Sequence, residues 1–243
     1  MVNNMKDIHS HIMYGIDDGA STKEESLSLL KKAYDEGITD IVLTPHYINN
    51  SKYNCNNKKK QRIINELKKE LKKENISIHL FLGNEVMIDK DIVKLIEKNE
   101  ISTINNTKYI LVEFPIHSEE KNSINIMFEL IRKGYKPILA HPERYSYVNK
   151  HPEIIDKYIE MGILLQGNYL SLFGKYGADA KKFLKKLLRQ RKITILASDI
   201  HKERNQYRIK RLKWKLKWLI RDKDYIDKIL DKNFMKIINN KEI

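Results

Sequence analysis

Histidine and aspartate side chains stand close together near the start of the chain. His9 and His11 are one residue apart at the end of the first apolar run, and Asp17 and Asp18 follow in a polar turn. Alternation along a strand would put both imidazoles on one face. Imidazole nitrogens and carboxylate oxygens are common ligands of divalent transition metals. The stretch therefore indicates a metal site, with a polar loop as the alternative.

The elements that would position these residues are short apolar runs that alternate with amphipathic segments. The runs predict strands at 6–12, 39–44, 77–83, 109–114, 136–140, 163–167 and 193–197. The amphipathic segments predict helices at 23–36, 58–73, 89–98, 123–133, 153–161, 178–190, 203–221 and 225–237. Apolar strands separated by helices predict an α/β fold with a parallel sheet. An Asn-rich loop is expected at 49–57.

Histidine, aspartate and glutamate side chains, which commonly bind metals, recur at the carboxyl ends of these predicted strands. In a parallel barrel those ends meet on one face, where the active sites of barrel enzymes lie. The placement therefore favours a barrel over an open sheet. The nine candidate ligands are His9, His11, Asp18, His46, Glu85, Glu113, His141, Asp199 and His201. So many ligands exceed the need of one ion, so we expect two or three divalent metals, of the Mn, Fe or Zn type because thiolate is absent from the set.

These motifs resemble, in order, those of the PHP (polymerase and histidinol phosphatase) superfamily. The matching stretches are His9-Ser-His11, Asp18, Thr-Pro-His46-Tyr, Gly-Asn-Glu85-Val, Glu113-Phe-Pro, His141-Pro-Glu-Arg144-Tyr and Ser-Asp199-Ile-His201. The match runs from about residue 6 to 201 and is closest to bacterial tyrosine-protein phosphatases of capsule and exopolysaccharide loci. It implies a distorted (β/α)7 TIM-like barrel in a single domain over 1–243. It further implies nine metal ligands, a trinuclear site usually run with Mn, and phosphotyrosine hydrolysis on a membrane-associated tyrosine kinase.

Arginines would hold the phosphate of such a substrate. Arg144 follows the His141 motif, and its planar guanidinium suits phosphate oxygens; a salt bridge with Glu143 or Glu113 is the alternative. The resemblance implies another arginine five residues after the last histidine, but Gln206 stands there. Arg204 and Arg208 flank that position and are the candidates for a second phosphate contact.

Catalysis would begin with water whose pKa is lowered by metal, which supplies hydroxide near neutral pH. A phenolate leaving group, with a pKa of about 10, needs little protonation, and Asp18 or His46 could supply it. Asp7 and Asp17 are expected to support ligands or cap loops. A cysteine phosphatase is excluded because such an enzyme needs Cys-x5-Arg, whereas Gln61 stands six positions after Cys55.

Positive charge is concentrated at the end of the chain. Residues 1–180 contain 25 Lys and Arg against 25 Asp and Glu, whereas residues 181–243 contain 21 against 7. A basic helical segment is predicted at about 203–243, with an apolar stripe and two tryptophans in 208–221. Its lysines favour an exposed outer helix, and docking to an acidic kinase tail or an anionic membrane is a second interpretation. Nucleic acid is less favoured, and an oligomer stays open.

Hydropathy and the candidate ligands limit the compartment and the class of protein that we expect. Apolar runs are too short to span a bilayer and the first residues lack a signal-peptide pattern, so we expect a cytoplasmic protein. Competing functions are another PHP phosphoesterase, either a histidinol-phosphate phosphatase or a nuclease-like enzyme, and a non-catalytic kinase-docking module. The full ligand set favours an enzyme over the docking module.

Overall fold

The structure is a computed structural model that describes residues 5–118, 122–202 and 207–243. Its strands are β1 (Asp40–Leu43), β2 (His46–Tyr47), β3 (His79–Leu82), β4 (Glu85–Met87), β5 (Tyr109–Glu113), β6 (Lys136–Ala140), β7 (Leu164–Asn168) and β8 (Ile195–Ala197). Its α-helices are α1 (Lys23–Asp35), α2 (Asn57–Lys73), α3 (Ile92–Glu97), α4 (Ser123–Arg132), α5 (Ser146–Lys150), α6 (Ile154–Glu160), α7 (Gly177–Arg189), α8 (Ile209–Ile220), α9 (Lys223–Asp227) and α10 (Asn233–Ile238). The predicted α/β alternation is therefore confirmed.

The strands pair in parallel throughout the described residues. β1 pairs with β3, and the others form a sheet in the order β2-β4-β5-β6-β7-β8. Single strands were expected at 39–44 and 77–83. In the structure β2 begins after two residues that follow β1, and β4 begins after two residues that follow β3. Pro45 lies between β1 and β2 and interrupts the strand, because proline has no N–H to donate to the ladder. The Pro45 carbonyl accepts from Asn84 Nδ2 at 2.8 Å. His46 and Glu85 are thus strand residues, not loop residues.

The segment predicted as the first strand, 6–12, is not a regular strand. It makes isolated parallel bridges between Asp7 and Ile41 and between Ser10 and Ile200. The Asp7 N–H donates to the Asp40 carbonyl at 2.9 Å on one side. On the other side, the Asp7 carboxylate accepts from the Ser198 N–H at 2.9 Å. Side-chain bonds thus replace part of the ladder, and the segment joins β1 to the end of β8 in a barrel-like arrangement.

The helices largely follow the predicted segments. Thr22 caps α1 by accepting from the Glu25 N–H at 3.2 Å, as expected for Ser21 or Thr22. The single helix predicted over 225–237 is present, because α9, a π-helical turn at Lys228–Lys232 and α10 follow one another without a break. The start of the predicted 203–221 helix lies partly outside the described residues, and its described part begins as a helix at Ile209.

Alternation along the strands places polar groups above an apolar interior. Tyr109 and Leu111 of β5 belong to a small inner cluster with Ile195 and Ala197 of β8. The next residues of the same parity are Glu113 and Asp199, at the carboxyl ends. The inner face thus changes from apolar to acidic at this end of the sheet.

The opposite end of the sheet is covered by the end of the chain. Phe234 of α10 is fully buried in the inner cluster, and its ring lies 6.0 Å from that of Phe81. The Tyr109 hydroxyl, at the start of β5, donates to the Lys241 carbonyl at 2.6 Å. No described helix combines the length and apolarity that a membrane span requires.

Candidate metal centre

All nine predicted ligands lie together at the carboxyl end of the sheet. Three overlapping groups hold eight of them, with the ligand atoms of each group within 4.8 Å of one another. The groups are His9, His11, Glu85 and Asp199; His11, Asp18, His46 and His201; and His46, Glu85 and Glu113. The ninth, His141, places Nε2 2.8 Å from Glu85 Oε1. His11, His46 and Glu85 each belong to two groups, so the groups form one continuous centre.

Glu85 lies at the middle of the centre. Its Oε2 atom is 3.1 Å from His9 Nε2, 3.1 Å from His11 Nε2 and 3.2 Å from His46 Nδ1. Three imidazole nitrogens therefore converge on one carboxylate oxygen. Neutral imidazole nitrogens with lone pairs would repel both that oxygen and one another. A cation is needed among them, either a proton or a metal ion.

Neighbouring side chains fix which ring nitrogens face the centre. The side-chain Oε1 of Gln166 is 2.8 Å from His9 Nδ1 and accepts the proton of that nitrogen, which thus points away from the centre. Asp17 Oδ2 is 2.8 Å from His11 Nδ1 and has the same effect. Both Nε2 atoms then present lone pairs inward, 3.1 Å apart. A hydrogen-bond acceptor at the outward ring nitrogen commonly sets the tautomer of a metal-binding histidine.

The pKa values of the histidines reflect this crowding by acids. Burial lowers the pKa of His11, but Asp17 and then Glu85 outweigh it and hold the pKa well above its usual value. Burial and His11 also oppose protonation of His46, yet Glu85 and Glu113 raise its pKa to about 9. Protons therefore supply the cationic charge when no metal does, and metal binding would displace them.

The carboxylates show the complementary shifts. Burial raises the pKa of Glu85, but His9 and His46 outweigh it and hold the pKa well below the usual range. The Asp18 pKa is lowered, chiefly by its hydrogen bond with His201. Both carboxylates are thus charged and available as ligands.

Several buried polar atoms of the centre lie close to one another, but none of them makes a hydrogen bond of acceptable geometry among the described residues. They include Glu85 Oε2, Glu113 Oε1, Asp199 Oδ1, His46 Nδ1 and His141 Nδ1. Unpaired buried polar atoms are rare in proteins. Their concentration here, in a set of oxygen and imidazole donors without thiolate, fits divalent metal ions of the Mn, Fe or Zn type.

Asp17 and Asp7 support the ligand set from outside. Asp17 accepts from the Gly19 N–H at 2.9 Å and from the His46 N–H at 3.0 Å, besides its contact with His11. Asp7 accepts from the Ser198 N–H, just before Asp199. Both aspartates therefore lie in the supporting positions expected from the sequence.

Arg144 contacts the centre through Asp199 and not through Glu143 or Glu113. Its Nη1 donates to Asp199 Oδ2 at 2.7 Å, and its guanidinium lies 4.3 Å from the centroid of the Tyr176 ring. Glu143, a partner in the alternative interpretation of Arg144, instead accepts from the Asn168 N–H and the Ser171 hydroxyl. The guanidinium is thus held at the rim of the cluster.

Of the two other candidate arginines, Arg208 is the one that lies within the described residues. Arg204 lies outside the described residues, as does Gln206. Arg208 precedes α8, and its guanidinium lies 5.9 Å from the centroid of the Phe173 ring. Phe173 is not one of the nine candidate ligands.

Two residues near the centre were not singled out from the sequence. The Tyr176 hydroxyl is 3.2 Å from Asp199 Oδ2, and the only signal for it was the surrounding Gly-rich stretch at 173–177. Lys60 is fully buried and donates to Asn84, next to Glu85, and to Ser102 at 3.0 Å. Lys60 lies on the apolar stripe of α2, and this position was a usable signal for its burial.

Histidines and carboxylates at the carboxyl ends of parallel strands, around a barrel-like core, define a metal-dependent hydrolase. A sequence model of a family described as "Capsular polysaccharide synthesis, CpsB/CapC" matches residues 5–239. The chain belongs to this family, which confirms the resemblance seen in the motifs.

Relatives of the chain carry consistent descriptions. The tyrosine-protein phosphatase YwqE of Bacillus subtilis is 34% identical over 81% of this chain and 77% of its own length. The tyrosine-protein phosphatase CpsB of Streptococcus pneumoniae is 30% identical over 81% of this chain and 83% of its own. A crystal structure from work on YwqE and CpsB, described as metal-dependent tyrosine phosphatases, matches with a TM-score of 0.92 and 30% identity over 98% of this chain and 96% of that one.

Proposed function

We propose that this protein is a metal-dependent tyrosine-protein phosphatase that removes phosphate from tyrosine on a partner protein. The observation that carries the proposal is the convergence of nine histidines and carboxylates beside a fixed guanidinium. Phosphate monoesters hydrolyse very slowly without a catalyst. Divalent ions held by these nine residues, together with the Arg144 guanidinium, would supply the positive charge that stabilises the transition state of hydrolysis.

The nine clustered residues would hold two or three divalent ions, with Mn preferred over Fe and Zn. His9, His11, Glu85 and Asp199 would form one binding group, and the two groups that share His46 would form the others. Bound ions lower the pKa of water and offset charge on the phosphoryl group. Gln166 and Asp17 keep the histidine lone pairs pointed inward.

Arg144 would bind the phosphoryl oxygens. Its Nη1 is engaged by Asp199, which fixes the guanidinium, and its remaining N–H groups can donate to the substrate. Stacking over Tyr176 orients the guanidinium plane. Arg204 or Arg208 would add a second contact with phosphate, at the position where Gln206 departs from the family pattern.

Leaving-group protonation would fall to Asp18 or His46. Asp18 is half-exposed at the mouth of the centre, with its Oδ1 atom 3.5 Å from His46 Nε2. A phenolate with a pKa of about 10 departs with little protonic help. We therefore expect substitutions at these positions to act mainly through metal binding.

We also propose a distorted (β/α)7 barrel of the PHP type in a single domain over 1–243. The six-stranded sheet, the β1-β3 pair that leads into it, and the bridging segment at 7–10 support that topology. In it, β1 with β2 and β3 with β4 each count as one strand.

The partner would be a membrane-associated bacterial tyrosine kinase that acts in capsule or exopolysaccharide synthesis, and this chain would work in the cytoplasm. The capsule description of the family and the tyrosine-phosphatase names of its relatives support this assignment. Contact with an anionic membrane is supported by α8, where Trp214 and Trp218 are 64% and 63% exposed among lysines. Nucleic acid has less support because basic charge alone favours it.

A substrate panel tests the proposal. Purified protein with and without added Mn would be given a phosphotyrosine peptide, histidinol phosphate and single-stranded DNA. We expect metal-dependent turnover of the phosphopeptide. Preference for either other substrate would favour another PHP phosphoesterase, and metal binding without any turnover would favour a docking module.

Two variants make the test specific. His141→Ala should abolish turnover, because it removes a buried ligand beside Glu85. Cys55→Ser should leave turnover intact, because the thiol serves no step. Loss of activity in the cysteine variant would contradict the metal mechanism.

A further inference from the structure

An open groove of about 930 Å3 begins at the rim of the metal centre and follows α7. Its inner end is formed by Arg144 and Tyr176, both of which contact Asp199. One wall is α7, and the facing wall includes α5 and Pro152. The groove therefore leads outward from the place where the phosphoryl group would bind.

Positive charge dominates the outer part of this α7 groove. Lys150, Lys182, Lys186 and Arg189 line it, and all four are exposed. Within the described ranges, no carboxylate oxygen comes within 4.0 Å of their charged nitrogens. The acidic lining residues are exposed Asp179 and fully buried Glu143, and the latter accepts from Asn168 and Ser171. The excess positive charge thus faces solvent.

The spacing of these cations suits an extended peptide. Lys182 and Lys186 are one helical turn apart on α7, and Arg189 continues the same side. From Tyr176 to Arg189 the chain rises roughly 20 Å at 1.5 Å per residue. About six residues of extended peptide cover that length. A flexible anionic segment could therefore reach several cations while one residue occupies the centre.

We infer that the α7 groove binds acidic residues next to the phosphotyrosine, so that the enzyme prefers phosphotyrosine flanked by Glu or Asp. The inference rests on the proposed phosphatase function and specifies its substrate class. Exposed charge pairs are individually weak, but several in one groove steer the encounter and add to affinity. The contribution should appear mainly in KM, since flanking residues bind alike in ground state and transition state.

Two phosphopeptides and two charge-reversal variants test this inference. The peptides carry Glu on both sides of phosphotyrosine, or isosteric Gln at the same positions. The variant Lys182→Glu/Lys186→Glu reverses an i, i+4 pair in the groove. The variant Lys68→Glu/Lys72→Glu reverses an exposed i, i+4 pair on α2 and serves as the matched control.

The native protein should favour the Glu peptide by about tenfold in kcat/KM at low salt, and the preference should shrink as salt rises. The groove variant should lose that preference while it hydrolyses p-nitrophenyl phosphate and the Gln peptide normally. The control variant should keep the preference. Binding of the unphosphorylated Glu peptide, followed by fluorescence anisotropy, gives a second readout that needs no turnover.

The outcomes separate this inference from the proposed function. A native protein that hydrolyses both peptides equally well is a phosphatase without the inferred preference, and the inference is then wrong. Equal losses on both peptides in the groove variant would also overturn it, because the lysines would then act on phosphate or on the fold. Absence of any phosphotyrosine turnover would instead refute the proposed function.

Discussion

Replacement of Asp17 should weaken metal binding although Asp17 is not one of the nine candidate ligands. Its Oδ2 accepts from His11 Nδ1 at 2.8 Å and from the His46 N–H at 3.0 Å, and its Oδ1 accepts from the Gly19 N–H at 2.9 Å. In Asp17→Ala, the His11 ring loses its fixed tautomer and the chain around His46 loses an anchor. Two candidate ligands are therefore affected by one substitution.

The size of the effect follows from these contacts. Loss of one supporting partner typically weakens metal affinity or activity by about 10–100-fold. Because this carboxylate supports two ligands, we expect Asp17→Ala near the upper end, about 100-fold. Asp17→Asn keeps one oxygen, which can serve either His11 and His46 or Gly19, but loses the charge. We expect it to weaken binding by about tenfold.

The measurement is the Mn affinity of the metal-free protein by calorimetry, supported by thermal unfolding with and without Mn. At one Mn concentration well above either Kd, a 100-fold weaker Kd removes about 2.7 kcal/mol of metal-induced stabilisation. Asp35→Ala, which removes an exposed carboxylate on α1, is the control and should match the native protein. An Mn affinity in Asp17→Ala within twofold of the native value would refute the role assigned to Asp17.

The remaining predictions concern one loop, one buried cation and one surface. Gly19→Ala should cost about 1–3 kcal/mol in thermal unfolding, because the new Cβ would lie 2.0 Å from the His11 carbonyl oxygen; unchanged stability would contradict this contact. Burial lowers the pKa of Lys60 to about 7. The unfolded chain keeps the Lys60 proton up to a pH of about 10, so the free energy of unfolding in urea should rise by about 1.4 kcal/mol per pH unit between pH 7 and about 10, and Lys60→Met should remove that slope. Trp214 and Trp218 are the only tryptophans, so anionic vesicles should shift the intrinsic emission to the blue whereas zwitterionic vesicles should not; equal shifts would contradict an electrostatic contact.

The candidate ligands were predictable because their signal is local. Eight of the nine lie at the end of a short apolar run and Asp18 lies in the turn after the first one, and parallel topology then brings residues as distant as His9 and Asp199 together. The same reasoning predicted the supporting place of Asp17, since a carboxylate beside a ligand commonly orients it. Long-range convergence here needed no knowledge of side-chain packing.

Features that depend on particular contacts were not predictable in this way. Arg144 was expected to contact phosphate, with a salt bridge to Glu143 or Glu113 as the alternative, but its protein partner is Asp199, which packing brings close. The path from β1 to β2 breaks because Pro45 removes one ladder bond, which apolar periodicity does not register. The turn between α9 and α10 likewise keeps a helical pattern in the sequence while it changes the hydrogen-bond register.

The segment around Asp7 and Ser10, held between β1 and the residues after β8, has a consequence for how the protein is made. Its Ser10–Ile200 bridge joins residues that the ribosome adds 190 positions apart. Contacts of such long separation slow folding, because the entropy of loop closure opposes them. Neither His9 nor His11 can meet Asp199 until most of the chain has been synthesised. The two groups that contain Asp199 or His201 are therefore complete only in an almost finished protein, and a nascent chain stalled before residue 199 would lack part of the centre.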